Sequence, residues 1–254
     1  MDKSADNRIR YPLLDEIRGF AVVCMVFYHA FYLLDDLFGL AAAGKLLNFF
    51  MPVEPLFAAL FVFISGMCTV FSRRPFRRGL LIAAVAALIS ITTLVLTRLG
   101  ISCLIVFGIL HMLAVCWLVF AAIRKPLRSI NPVAGLCVCL LIFLITYHLE
   151  SRYLGFGRLS LALPETLYQN NLFCFLGFTA PNFYSADYFP LLPWLFMFFC
   201  GVFASRLFPD GKLPGFFAKS RCRMLAFAGK NALWIYVLHQ PVIFALAFLA
   251  IQVF

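Results

Sequence analysis

The sequence predicts an all-α, polytopic membrane protein, and three observations carry that prediction. Of 254 residues, 64% are hydrophobic and only 13% are charged, with a mean hydropathy of +0.97. Apolar runs of 18 or more residues recur, each long enough for a helix to cross a hydrocarbon core about 30 Å thick. The 21 Lys and Arg residues gather between these runs on alternate sides, as membrane topology requires. Soluble linkers, low-complexity tails and a repeat of fixed period are absent, so a single membrane-embedded domain over 1–254 is expected.

Seven helices are predicted, at about 17–34, 54–72, 79–97, 101–123, 133–149, 188–206 and 227–252. Pro52 and Pro55 open the second, and Pro75 and Gly79 separate it from the third. Gly100 separates the third from the fourth, and Asn131-Pro132 opens the fifth, each a residue type that starts or stops helices. The first run is too long for the apolar core of a cleaved signal, although Ala41-Ala42-Ala43-Gly44 loosely resembles a cleavage site, so it is read as a span.

One face would carry 17 of the cations, from Lys3, Arg8, Arg10 and Arg18 through Arg73–Arg78 to Lys230. The other would carry Lys45, Arg98, Arg152 and Arg158. The cation-rich face is therefore cytosolic, with the N-terminus inside and the C-terminus outside, in the inner (plasma) membrane. The formal net charge of +10 thus reflects topology and membrane lipids as partners, and nucleic acid is not expected. Nothing in the sequence speaks against a homo-oligomer.

The longest connection, about 150–187, falls on the outer side. Its length points to function, and its aromatics argue against disorder. It would lie on the membrane surface or cap a cavity. The nine cysteines show no metal-ligand spacing, so no metal is expected. Most sit in apolar runs as small hydrophobes, whereas Cys103 and Cys174 share the outer side, where a disulfide between them would be allowed.

Three histidines fall inside predicted spans, and an ionisable group there is a functional-site hypothesis by default. Counted from the predicted helix starts, His29 and His239 lie roughly 18 Å deep and His111 roughly 15 Å deep from the opposite face. This common level suggests a polar cavity. Asp36, with Asp35 beside it, is seven residues beyond His29 on the same helical face. A carboxylate there would fix the tautomer of a general base, or the pair simply marks the end of the helix. Trp234 and Tyr236 precede His239, and Gln240 and Pro241 follow it. The proline should kink the helix and free a carbonyl nearby.

Arg73, Arg74, Arg77 and Arg78, together with Arg10 and Arg18, could cradle a polyphosphate, although positive-inside signalling also accounts for the Arg73–Arg78 cluster. On the outer side, Asp187-Tyr188-Phe-Pro190-Leu-Leu-Pro193-Trp194 combines an acid, aromatics and prolines at a span entrance. Such irregular backbone must face water or protein, and these side chains suit a sugar or another polar acceptor. An aromatic belt with a proline-initiated helix is the competing explanation.

Taken together, these blocks resemble a known family. Arg10-x3-Leu14-Asp15-x2-Arg18-Gly19 followed by Met25-Val-Phe-Tyr28-His29 is similar to the start of the heparan-α-glucosaminide N-acetyltransferase catalytic-domain family. Leu60-Phe-Val-Phe-Ile-Ser65-Gly66, Phe107-Gly-Ile-Leu-His111, the Asp187–Trp194 stretch and Leu233-Trp-Ile-Tyr-Val-Leu-His239-Gln240-Pro241 look like its bacterial branch. The resemblance implies acyl transfer from cytosolic acetyl-CoA, or another acyl-CoA, to a small-molecule or glycan acceptor across the membrane. It would place the CoA phosphates at Arg10, Arg18 and Arg73–Arg78, and the chemistry at His29 with Asp36 or Asp35 orienting it. His111, Asp187, Tyr188, Trp194, His239 and Gln240 would line the acceptor side. The chain departs from the lysosomal enzyme of that family, which has asparagine at the position matching His29 and a proposed catalytic histidine in the following loop. No histidine lies between His29 and His111 here. The alternative is a proton-coupled transporter or flippase, in which the histidines form a relay, although no inverted repeat supports it.

Overall fold

The computed structural model describes residues 11–36, 39–208 and 213–253. They form nine α-helices and one short hairpin among the described residues, which makes the chain an all-α, multi-pass membrane protein. Six stretches are long and apolar enough to cross a bilayer: Pro12–Asp36, Glu54–Phe71, Pro75–Arg98, Ile109–Leu127, Pro132–Ser151 and Ala232–Leu249. The sixth predicted span, 188–206, is shorter than predicted. It is realised as a 15-residue helix, Leu191–Ser205, about 22 Å long at the helical rise. Phe198 through Ser205 are all buried, so protein encloses the second half of this helix. The chain divides into two compact units, 1–64 with 210–254, and 65–209.

The first unit holds α1 (Pro12–Asp36), α2 (Ala41–Phe50), the first part of α3 (Glu54–Met67), α8 (Arg223–Lys230) and α9 (Ala232–Val253). α1 starts five residues earlier than predicted because Pro12 can occupy a first helical turn, where no amide hydrogen bond is needed. α2 was not predicted. Its alanines and leucines favour helix, but ten residues are too few to cross a membrane. Gly44 of α2 allows the Asp35 carboxylate at the end of α1 to approach closely. The predicted last helix, 227–252, is broken in two. Asn231 donates its side-chain amide back to the Phe227 carbonyl at 2.9 Å, and its own carbonyl then starts α9 by accepting from the Ile235 amide at 3.0 Å.

α8 packs directly on the first turns of α1. A Cβ added to Gly19 would collide with the Leu225 carbonyl oxygen, and one added to Gly229 would collide with the Asp15 carbonyl oxygen. The two backbones therefore touch through paired glycines, the small-residue contact that lets membrane helices approach.

The second unit holds the end of α3, α4 (Pro75–Arg98), α5 (Ile109–Leu127), α6 (Pro132–Thr146), the hairpin β1 (Tyr153–Phe156) and β2 (Leu159–Ala162), and α7 (Leu191–Ser205). Its core centres on Trp117, which is 1% exposed. The Trp117 indole N–H donates to Ser65 Oγ at 3.3 Å, its face carries the Arg78 guanidinium at 4.7 Å, and its edge meets Phe198. Gly66 admits the α7 backbone at Phe198, so the Ser65-Gly66 block is a packing motif. Asn131 caps α6 as expected, its Oδ1 accepting from the Val133 and Ala134 amides. Arg206 donates to the Leu127, Arg128 and Ile130 carbonyls, tying the turn that follows α5 to the end of α7.

The long connection is ordered. Beyond the hairpin, Tyr168 is 2% exposed and donates its hydroxyl to the Leu149 carbonyl at 2.5 Å. The Arg152 guanidinium lies over its ring. Cys103 and Cys174 are both free thiols.

Candidate functional site

The candidate site lies in the first unit and is built on α1, α8 and α9. Its lower end is a polar knot at the start of α1. Asp15 and Glu16 are 7% and 5% exposed, a burial that carboxylates tolerate only when paired. Asp15 forms an ion pair with Arg18 one turn on. Glu16 Oε1 accepts from the Ser220 hydroxyl and the Arg221 amide, both at 2.7 Å. This carboxylate thus sits at the N-terminal edge of α8, where free amides and the helix dipole favour negative charge. The sequence reading gave Glu16 no role. The available signal was a second acid beside Asp15 in a helix otherwise apolar enough to span.

Arg18 is held by Asp15 through Nη2, while its Nε is buried without a hydrogen-bond partner among the described residues. A buried guanidinium N–H without an acceptor is costly. It fits an anionic group, and a phosphate oxygen suits it well.

Ten residues further along both chain segments, His29 meets His239. The Gly19–Gly229 and His29–His239 contacts both join residues 210 apart in sequence, so α1 and the α8–α9 segment run side by side in the same direction. His239 Nε2 lies 3.0 Å from His29 Nδ1, with the ring centroids 5.0 Å apart. His239 Nδ1 lies 2.6 Å from the Tyr236 carbonyl oxygen. Tyr28 and Tyr236 flank the pair, each with its ring centroid 5.6 Å from the neighbouring imidazole. The carbonyl that binds His239 is that of Tyr236, not the one Pro241 frees. Proline lacks the amide that would reach Val237, four residues back.

This arrangement corrects the expected carboxylate partner. Among the described residues the hydrogen-bond partner of His29 is His239, and neither Asp35 nor Asp36 bonds to it. Six or seven residues along a helix is roughly 9–10 Å of rise, too far for contact without help from a second element. Gln240 is half-buried and has no side-chain hydrogen bond among the described residues. Arg10 lies outside the described residues.

The remaining predicted site residues belong to the second unit, where most of their polar atoms serve the fold. His111 is not mid-span. α5 begins at Ile109 rather than 101, which leaves His111 in the first turn. Its Nδ1 accepts from the Gly108 amide at 3.2 Å, its Nε2 pairs with Ser90 Oγ at 3.1 Å, and Ser90 donates to the Ile105 carbonyl at 2.7 Å. The late start has its cause in a segment distant in sequence. Residues 101–108 pair with the loop before α7, the Ala186 amide donating to Leu104 and the Phe189 amide to Phe107. Asp187 Oδ2 accepts from the Ile109 amide at 3.1 Å and caps α5 from outside the helix. Tyr188 donates to the Cys174 carbonyl at 2.6 Å. Trp194 is 8% exposed, packed between Phe143 and Phe189. Arg74 and Arg77 stand exposed at the start of α4, and Arg73 is exposed just before it.

A family model described as heparan-alpha-glucosaminide N-acetyltransferase, catalytic, matches residues 10–241. No curated protein and no solved structure gives a significant match.

Proposed function

Because the chain belongs to the heparan-alpha-glucosaminide N-acetyltransferase catalytic-domain family, a family of transmembrane acetyltransferases, we propose a specific reaction for it. The protein moves an acetyl group from cytosolic acetyl-CoA to a hydroxyl or amine of a sugar or other envelope acceptor on the outer side of the inner membrane. The observation that carries this reading is the bond between His29 and His239, with His29 on the same helix, α1, that holds Arg18 in its second turn, where Nε has no hydrogen-bond partner among the described residues.

Acetyl-CoA would supply an activated carbonyl and a thiolate leaving group. Arg18 binds one of its phosphates, with Arg10, Arg73, Arg74, Arg77 and Arg78 as further candidates. His29 takes the proton from the acceptor O–H or N–H as the new C–O or C–N bond forms and the C–S bond breaks, then returns it to the departing sulfur. Gln240, adjacent to His239 in sequence, has hydrogen-bonding capacity to spare for the acceptor. With the cation-rich face in the cytosol, α1 joins the compartment that holds CoA to the one that holds the acceptor.

The test is radiolabelled acetyl-CoA with the purified protein in nanodiscs. D-glucosamine and methyl glucoside serve as amine and hydroxyl probes, and water is the default acceptor. Transfer or hydrolysis should occur in the parent and disappear in His29→Ala. Arg18→Ala should raise KM for acetyl-CoA roughly tenfold or more, the loss of about one charge-assisted hydrogen bond. Acetyl-CoA that neither binds nor reacts, alongside solute uptake in liposomes, would overturn the reading in favour of a transporter.

A further inference from the structure

The two imidazoles and one carbonyl form a directed chain whose proton positions follow from hydrogen-bonding rules alone. The Tyr236 carbonyl oxygen can only accept, so the 2.6 Å contact puts a proton on His239 Nδ1. With that ring neutral, His239 Nε2 is a bare acceptor. The 3.0 Å contact to His29 Nδ1 then requires the proton to sit on His29 Nδ1. With His29 neutral as well, its Nε2 is bare. That nitrogen has no hydrogen-bond partner among the described residues, and it is not among the sealed-off polar atoms, where Arg18 Nε stands.

We propose that His239 is the positioning residue of the site: it holds His29 in the tautomer that leaves Nε2 bare, so that Nε2 is the atom that takes the acceptor's proton. The chain carbonyl–imidazole–imidazole does here what a buried carboxylate does for a catalytic histidine elsewhere, fixing ring orientation and tautomer. When His29 Nε2 gains the acceptor's proton, its Nδ1–H bond to His239 becomes charge-assisted and shortens. When the thiolate leaves, the same proton passes from Nε2 to sulfur, and the pair returns to its starting state. His239 neither gains nor loses a proton in this cycle.

The register of the helices supports the assignment. Gly19 and Gly229 hold the α1 and α8 backbones in contact, and the histidines meet ten residues further on along each segment, so the pair is set by a fixed parallel packing. Tyr236 belongs to the same helix as His239, one turn earlier, so the carbonyl end of the chain is fixed by α9 itself.

The inference takes its chemistry from the acyltransferase reading, but its tautomers stand apart from that reading, and the experiment separates the two. Imidazole nitrogens are observed by 15N NMR in nanodiscs with selectively labelled histidine, the His29 signals being assigned by their loss in His29→Ala. In the parent, His29 Nε2 should show the shift of a bare nitrogen and Nδ1 that of a protonated one. His239→Leu removes the acceptor, so the two His29 tautomers should mix, and kcat for acetyl-CoA turnover should fall roughly 100-fold with KM changed less than threefold. His239→Gln restores an acceptor oxygen near the place of Nε2 and should recover activity to within about tenfold of the parent, which a merely space-filling role would not produce. Thermal unfolding of each variant identifies any that has lost its fold, in which case the parent's own 15N spectrum decides. A protonated His29 Nε2 in the neutral parent, or a folded His239→Leu with unchanged kcat, overturns the proposal. A parent that shows the bare Nε2 yet never turns over acetyl-CoA would keep the tautomer assignment and sink the acyltransferase reading instead.

Discussion

The contact between Gly19 and Gly229 allows a sharp prediction, because the neighbours of an added methyl group are backbone atoms that cannot rotate away. In Gly19→Ala the new Cβ would overlap the Leu225 carbonyl oxygen and lie 2.8 Å from the Gly229 nitrogen and 2.9 Å from the Leu225 carbonyl carbon. Ordinary contact begins at 3.4 Å, so against Gly229 alone α8 must withdraw by about 0.6 Å (3.4 less 2.8), and against the Leu225 oxygen by more. A gap of 0.5–1 Å already forfeits roughly a quarter to a half of each dispersion contact along an interface. Overpacking of this kind costs about 1–3 kcal/mol, or roughly 2–12 °C in Tm for a chain of this size. The same withdrawal propagates about 15 Å along the parallel helices to the histidine pair, so activity should fall by more than the loss of folded protein explains. The assay is thermal unfolding in nanodiscs with acetyl-CoA turnover measured well below Tm. Gly215→Ala is the control, since nothing lies within 4 Å of its added Cβ. If Gly19→Ala unfolds at the parent temperature and turns over normally, the helices are not held by backbone contact and the register argument fails.

Two further outcomes follow from buried polar groups. Glu16→Gln keeps the shape and one acceptor oxygen but removes the charge that receives the Ser220 hydroxyl and the Arg221 amide just before α8. A loss of about 1–2 kcal/mol is expected, read as faster proteolysis in the segment preceding α8, while Glu16→Asp should be no better because its carboxylate falls short of Arg221. Tyr168 seals the long connection. Burial pushes its phenol up, the neighbouring Arg152 guanidinium offsetting part of the rise. A phenol raised above the ordinary value near 10 stabilises the fold fully below about pH 10, and that contribution is lost as pH climbs through the raised value. Tyr168→Phe should therefore cost about 1–2 kcal/mol at neutral pH, from the unpaired Leu149 carbonyl. It should also flatten the alkaline limb of a Tm–pH series, and an unchanged limb would argue that the folded chain does not raise the Tyr168 phenol above its ordinary value.

Much of the fold was legible because membrane helices announce themselves by length and apolarity. Six of the seven predicted spans are matched by helices long enough to cross, and Asn131-Pro132 starts α6 where capping chemistry says it should. The largest error at a helix end comes from a partner distant in sequence. α5 starts at Ile109 because Asp187, 78 residues on, caps it. The last helix breaks at Asn231, and the short α8 that results is the element that packs against Gly19. His111 was judged deep in a span because the segment before it is apolar, yet that segment pairs with a loop that periodicity along one segment could not reveal.

By itself, the sequence determined that the chain spans membranes, that an arginine and a carboxylate stand at the mouth of the first helix, and that histidines fall within the first and last spans. Those facts follow from the cost of polar groups in hydrocarbon, which is local and additive along the chain. Only the tertiary structure decided that these histidines bond to each other, that a backbone carbonyl and not an aspartate holds His239, and that Arg18 Nε has no hydrogen-bond partner among the described residues. The reason is register. α1 lies parallel to α8 and α9, some two hundred residues away in sequence, with Gly19 against Gly229 and His29 against His239, and the glycine pair gains meaning only when the partner helix is present.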